Sequence, residues 1–209
     1  RLRSKAKLAR LLQVSPAKLI KLSRLEGGYI LFQKPKKKGG TRDISAPIPP
    51  LKSVQSRIAD LLGRVAPPDY LFAPVEGRSY VDNAARHIGA DAVHLLDIED
   101  FFPSCTINKV IWFFRSRMEC SSDVAVILAR ITTNNGALPQ GSPCSPILAY
   151  FAYIDMWEEI DRAVTKAECT LSVYADDLTV SGGKVPKAMI WELKKILHRH
   201  GFRYAAHKE

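Results

Sequence analysis

With 209 residues, 46% of them hydrophobic, the chain can bury the core of one or two small domains, and nothing in its composition suggests wholesale disorder. The longest apolar stretch, near Ile147–Tyr153, falls far short of a membrane span, and no apolar run follows the opening Arg-Leu-Arg-Ser as in a secretory signal. The net charge of +10 is unevenly placed: residues 1–42 hold 13 Lys and Arg against one acid, Glu26, so the arm suits an anionic partner, nucleic acid ahead of a membrane surface, unless it is merely a solvated face.

Two short helices are expected first, the second capped by Ser15 with Pro16 at its first position. Tyr29–Phe32 and Arg42–Ala46 read as a hairpin around the basic turn Lys34–Gly40. Pro49-Pro50 opens a helix whose apolar residues Leu51, Val54, Ile58, Leu61, Leu62 and Val65 keep helical period. A helix over Asp82–Ile88 leads to an apolar strand, Ala92–Ile98. Helices Ile107–Arg117 and Asp123–Ile131 follow, then a turn at Asn134-Asn135-Gly136 and one long helix from about Ser145 to Val164. Strands Thr170–Tyr174 and Leu178–Val180, a helix Lys187–His200 ended by Gly201, and a strand Phe202–Ala205 complete the chain. Strand, helices, two hairpin strands, helix, strand is the split β-α-β order of a ferredoxin-like α+β domain. The four cysteines form no C-x-x-C pair and read as reduced, cytosolic core residues.

Asp176-Asp177 falls at the tip of the expected hairpin, and a lone Asp-Asp there is most simply a turn. Asp97 alters that balance, because it ends an apolar strand, Val93–Leu96, where a solvated acid is out of place. In a split β-α-β sheet the first strand and the hairpin are neighbours, so Asp97 and Asp176 are expected to converge. Carboxylates gathered in this way raise one another's pKa unless a cation neutralises them. Hard oxygen donors suit Mg²⁺, and two such ions would activate an attacking hydroxyl and stabilise a leaving pyrophosphate.

Three segments carry a family resemblance. Tyr174-Ala175-Asp176-Asp177 resembles the Tyr-x-Asp-Asp box of reverse transcriptases. Leu138–Pro143 resembles their nucleotide-contacting loop, and Asp97–Phe102 their first catalytic strand; all three stand in the family's order and spacing. The resemblance runs from about Lys34 to the chain end. It implies the fingers and palm of a right-hand polymerase: residues 1–80 as fingers with basic N-terminal helices, and 81–209 as palm, with 107–140 open to being a fingers insertion. It also implies roles. Asp97 and Asp176 would bridge two Mg²⁺ ions, with Asp177 and the Ile98 carbonyl as further ligands. The amides of Asp100 and Phe101 would face the triphosphate of a dNTP, Phe102 would exclude a ribose 2′-hydroxyl, and Gln140 and Gly141 would touch the nucleotide. Arg42, and more loosely Lys38 and Lys208, would hold triphosphate or pyrophosphate oxygens. Lys52 and Gln55 match fingers positions near template or primer.

Asn83-Ala84-Ala85-Arg86-His87 resembles the Asn-Ala-x-x-His signature of retron reverse transcriptases, and Leu96–Ser104 is similarly retron-like. Asn83, Ala84 and His87 are its fixed positions; read without the resemblance, His87 is a satisfied helix histidine. A retron enzyme implies a cytoplasmic polymerase that copies a cognate structured non-coding RNA into DNA, with a defence effector as further partner and no membrane. The expected thumb is missing, so the chain reads as part of a longer protein. The rival readings are a group II intron-type or other bacterial reverse transcriptase, a nucleotide cyclase, and a non-catalytic RNA-binding scaffold of the same fold. Cyclases place Gly-Gly before their acid pair, whereas Gly182-Gly183 follows it here; a scaffold would be expected to have lost its acids.

Overall fold

The computed structural model describes residues 2–35 and 39–205. The chain divides into two compact units, one of residues 1–64 with 102–152, the other of residues 65–101 with 153–209. The expected boundary at 80/81 differs from this division, because residues 65–80 contribute a strand to the second unit's sheet.

The first unit begins with helices α1 (Lys5–Leu11) and α2 (Pro16–Ser23). The Ser15 hydroxyl accepts the Lys18 amide at 3.2 Å, so the cap legible in the sequence is made. Strands β1 (Tyr29–Pro35) and β2 (Thr41–Pro47) form a two-stranded antiparallel hairpin; β1 starts where expected and runs on to Pro35, and β2 is one residue longer at each end than the sequence suggests. Helix α3 (Pro49–Leu62) buries Leu51, Val54, Ile58 and Leu62 on one stripe, as its period requires. It stops at Gly63, leaving Val65 outside the helix and exposed.

The second unit opens with β3 (Leu71–Ala73), a three-residue strand too short to carry a period. Helix α4 (Tyr80–Ala85) starts two residues before the expected position. Ser79 accepts the Asp82 amide while Asp82 accepts the Ser79 amide at 2.7 Å, a reciprocal capping box. Strand β4 (Ala92–Glu99) and the short helix α5 (Phe101–Ser104) lead back into the first unit.

There, α6 (Ile107–Trp112) runs into a π-helical turn over Phe113–Arg117, and α7 (Ser122–Thr132) packs against α2, α3 and α6. Asn135 and Gly136 both take positive φ, +49° and +80°, in the tight Asn-Gly turn that follows. The long helix expected over 145–164 is two helices, α8 (Ser145–Ala152) and α9 (Ile154–Lys166). Tyr153 leaves helical geometry at φ −119°, ψ 27°, where the chain passes between units. An uninterrupted apolar stretch conceals such a break, because neither Gly nor Pro marks it.

Strands β5 (Thr170–Tyr174) and β6 (Asp177–Gly182), helix α10 (Lys187–Arg199) and strand β7 (Arg203–Tyr204) complete the second unit. Its sheet runs β3-β5-β6-β4-β7, with β3 parallel to β5 and the other pairings antiparallel. Strand β4 therefore lies between β6 and β7, the split β-α-β arrangement of an α+β domain. Helices α9 and α10 pack on one another, and Leu96, Ile98, Leu171, Val173, Leu178 and Val180 form the sheet's buried apolar set. All four cysteines are free thiols. Among the described residues no helix is long and apolar enough to cross a membrane.

Candidate active site

Strand β4 delivers Asp97. Side chains alternate along a strand, so Leu96 and Ile98, 2% and 1% exposed, face the core, and Asp97 shares the other face with Leu95 and Val93, which are half exposed. The Asp97 carbonyl accepts the Ala205 amide at 2.9 Å on the β7 side. The Ile98 amide donates to the Asp176 carbonyl at 3.0 Å on the β6 side. The acid is thus carried by a strand bonded on both edges.

The same bond fixes the register. Ile98 lies opposite Asp176, so the next pair, Asp97 with Asp177, is a closely spaced non-hydrogen-bonded one, with Cα atoms about 4.5 Å apart. The residue directly across from Asp97 is therefore Asp177, and Asp176, expected to converge on Asp97, is the next residue along, bonded through its carbonyl to the Ile98 amide. Asp176 belongs to the turn, where strand alternation no longer sets the direction of a side chain. Asp97 and Asp176 are half-buried and Asp177 is exposed.

The turn holds an unfavourable backbone conformation. Ala175 has φ +57°, in the left-handed region that costs an L-residue about 1–2 kcal/mol. Its amide donates to the Ala73 carbonyl at 3.2 Å, so β3 braces the turn. Asp100, just past β4, also has positive φ, +44°. Phe101 is buried against Trp157 and Phe202, with ring centroids 6.3 and 5.5 Å away, so its side chain is core and only its backbone is open to the role expected of it. Phe102 is half-buried, and its carbonyl accepts the Cys105 amide.

Among the described residues no group of three His, Cys, Asp or Glu side chains stands in position to hold a metal ion. The donor chemistry nevertheless fits a divalent cation. Like charges directly opposite one another on adjacent strands are mutually destabilising, and hard carboxylate oxygens on one open face are what Mg²⁺ accepts.

In the first unit, Arg42 is exposed on β2 across from Lys34. The Gln140 carbonyl accepts the Ser45 amide at 2.7 Å, tying the Leu138–Pro143 loop to the same strand. Gly141 has φ +125°, and a Cβ there would lie 2.9 Å from Ile44 Cγ2 and 3.1 Å from the Ser45 carbonyl oxygen. The close backbone approach that requires glycine is therefore made to β2. Ser145 Oγ donates to the Pro139 carbonyl at 2.8 Å, closing the loop onto α8.

Lys52 and Gln55, paired in the sequence as template or primer contacts, part company. Lys52 is exposed on α3. Gln55 is 0% exposed: its Nε2 donates to the Ile131 carbonyl and the Tyr29 hydroxyl, both at 2.8 Å, and its Oε1 accepts from Ser142 at 2.7 Å. That expectation for Gln55 is corrected, since a buried amide bonded at both ends has no edge to offer a nucleic acid. Burial pushes the Tyr29 phenol well above its ordinary range, so it stays a hydroxyl. Lys38 and Lys208 lie outside the described residues.

The Asn83–His87 segment is also turned inward. His87 Nδ1 lies 2.6 Å from Ser181 Oγ and its Nε2 2.7 Å from Ser172 Oγ. Arg86, at a wildcard position of the signature, donates from Nε to the Leu171 carbonyl at 2.8 Å. Asn83 Oδ1 is buried with no partner among the described residues, and Ala84 is exposed. Sequence reasoning missed Arg86, Ser172, Ser181, Tyr29 and Ser142. Alternation puts both strand serines, Ser172 and Ser181, on the sheet face opposite the apolar set, so nothing in the sequence signalled that His87 would bury them.

Comparison with known proteins follows the same segments. The family described as reverse transcriptase (RNA-dependent DNA polymerase) matches residues 34–208. The chain is 31% identical over 144 residues to the retron Se72 reverse transcriptase of Salmonella heidelberg, covering 68% of this chain and 38% of that protein. It is 32% identical over 149 residues to the retron Ec86 reverse transcriptase of Escherichia coli, covering 71% and 46%. It is 33% identical over 178 residues to the retron Mx65 reverse transcriptase of Myxococcus xanthus, covering 75% and 41%. The matched region thus spans less than half the length of each of these relatives.

Proposed function

We propose, from the premise that this chain belongs to the reverse transcriptase (RNA-dependent DNA polymerase) family, that it is the nucleotide-adding part of a retron reverse transcriptase. On this reading the protein copies a cognate structured non-coding RNA into DNA in the cytoplasm, from dNTPs, with a defence effector as a further partner. The first unit corresponds to fingers and the second to palm, with no thumb among the described residues.

The observation that carries the reading is the placement of Asp97 against Asp177, on a strand whose next amide binds the Asp176 carbonyl. Asp97, Asp176 and Asp177, with the Ile98 carbonyl, would hold two Mg²⁺ ions. When bound, such ions lower the pKa of the primer hydroxyl and offset charge on the departing pyrophosphate. The chain's own residues do the rest. In the first unit, Arg42 would bind triphosphate oxygens, and Gln140 and Gly141 would contact the nucleotide while bonded to β2. In the second, the backbone at Asp100 and Phe101 would offer amides to the triphosphate. Phe102 would press on the sugar and exclude a 2′-hydroxyl. Lys52, with Lys38 and Lys208, would supply charge toward nucleic acid and phosphate.

The test is primer extension by the full-length protein on an RNA template with Mg²⁺, comparing wild type with Asp97→Asn and Asp176→Asn. Each substitution should lower the rate by at least 10²–10³, about 3–4 kcal/mol of transition-state stabilisation. Equal rates in the three proteins would refute the assignment. Phe102→Ala should raise ribonucleotide incorporation, and unchanged sugar selection would remove its proposed role.

A further inference from the structure

The signature segment Asn83–His87 has no part in the chemistry just described, yet its side chains reach the strands that carry the acids. His87 follows the end of α4, its amide bonded to the Ala84 carbonyl at 3.1 Å. Its two ring nitrogens take different strands: Nε2 meets Ser172 on β5, and Nδ1 meets Ser181 on β6. Both serines are buried, at 0% and 2% exposure. The register pairs Ser172 with Thr179 and Thr170 with Ser181, so the ring spans a diagonal across the hairpin. Arg86 adds a bond to the β5 backbone at Leu171 and a longer one, 3.4 Å, to the Asp69 carbonyl before β3.

Alternation places Ser181 and Thr179 on the face of Asp177, and Ser172 on the face paired with Thr179. The ring therefore rests on the face that presents Asp97 and Asp177. Ser172 lies four residues before Asp176 and Ser181 four after Asp177, about 13 Å along each strand at 3.3 Å per residue. That distance is too great for His87 to touch a reacting atom. A ring bonded to both strands does resist sliding and twisting of one strand against the other. Such motion would be transmitted to the turn, because the turn is closed by the same two strands.

We propose that His87 is a positioning residue that locks the β5–β6 hairpin and so fixes the Asp176-Asp177 turn against Asp97. The assignment rests on the polymerase reading of that turn. It gives the segment a role other than reading RNA: the imidazole is engaged at both nitrogens and the adjacent guanidinium faces backbone carbonyls.

The test uses the full-length protein with His87→Ala, His87→Asn and the double substitution Ser172→Ala/Ser181→Ala. Single-turnover dNTP incorporation is measured alongside amide hydrogen exchange over residues 171–181. His87→Ala should slow incorporation roughly tenfold with dNTP affinity within about twofold, since a small misplacement of reacting groups acts on the chemical step. Exchange should quicken across both strands. His87→Asn, whose amide reaches about as far as Nδ1, should regain part of the rate through Ser181. The serine double variant should match His87→Ala, and combining all three should add little, since they share one interaction. It also removes the same bonds should His87→Ala fold poorly. Wild-type rate and exchange in His87→Ala would overturn the proposal, as would additive losses. So would a loss confined to RNA affinity with hairpin exchange unchanged, which would make the segment an RNA reader. An Asp176→Asn protein as active as wild type would instead defeat the polymerase reading, and the exchange measurement would still decide whether the hairpin is locked.

Discussion

Gln55→Ala separates two accounts of one residue. The side chain is completely buried and makes three hydrogen bonds, to the Ile131 carbonyl, the Tyr29 hydroxyl and the Ser142 hydroxyl. A buried hydrogen bond contributes a net 0.5–1.5 kcal/mol, so their loss should cost about 2–4 kcal/mol before any cavity is counted. The Ile131 carbonyl sits in the last turn of α7, where no further amide of the helix can take it up. Urea unfolding followed by circular dichroism should show a clear drop in midpoint for Gln55→Ala. RNA affinity, measured by anisotropy of a labelled oligonucleotide where the variant is still folded, should stay near wild type. Lys52→Ala, three residues earlier on the exposed side of α3, should do the opposite. It should leave the midpoint unchanged, weaken RNA binding and reduce the salt slope by about one. A Gln55→Ala protein with a wild-type midpoint and weakened RNA binding would refute the buried-network account.

Gly141→Ala should destabilise the protein by about 2–5 kcal/mol, combining left-handed strain with a Cβ pressed 2.9 Å from Ile44; thermal unfolding is the check. Without metal, Asp177→Asn should gain about 0.5 kcal/mol by relieving the pair with Asp97, and millimolar Mg²⁺ should raise the melting temperature of wild type but not of Asp97→Asn. Identical Mg²⁺ responses in the two proteins would count against the pairing. Burial, and then the neighbouring Arg86 charge, hold the His87 imidazole below its ordinary 6.5. Its folded value is the depressed one, so its contribution to stability is complete above about pH 6.5 and is lost as pH falls through the folded value. Exchange over residues 171–181, corrected for intrinsic rates, should therefore quicken on acidification in wild type and not in His87→Asn.

The residues that made this fold legible have local causes: Ser15-Pro16 starts α2, Asn135-Gly136 turns the chain, and the apolar period of α3 predicts its buried stripe. What stayed hidden depends on partners distant in sequence. Strand β3 exists because β5 is there to pair with it, and three residues hold no period of their own. The break at Tyr153 falls inside the apolar run 147–154, so hydrophobicity continues from α8 into the first residue of α9 and hides the change of unit. At the site, the acids were legible as residue types, whereas the partner of Asp97 depended on a register that neighbours set. A shift of one residue exchanges Asp177 for Asp176 without changing the motif. Gln55 was misjudged for a related reason: Lys52 and Gln55 look equally polar, and only the packing of α3 on α7 sends one outward and the other into the core.

Two non-glycine residues with positive φ and a like-charged cross-strand pair meet at one end of the second unit's sheet. Ala175 occupies a backbone region that glycine fills at no steric cost, and Asp100 does so just beyond β4. Asp97 faces Asp177 where a threonine or an opposite charge would stabilise the strands. A sequence shaped by stability alone would remove each of these by a single substitution. Instead the surrounding structure braces them: the Ala73 carbonyl holds the Ala175 amide, the Ala205 amide just after β7 holds the Asp97 carbonyl, and the Asp176 carbonyl holds the Ile98 amide. Strain persists where its neighbours over-determine it, and it gathers where a site must stand ready before its ligand arrives. That makes the brace separable from the chemistry. Residues that hold the turn should alter rate through geometry, whereas the acids should alter it through charge. Asn in place of Asp97 removes charge while nearly preserving shape, and loss of the His87 bonds does the reverse.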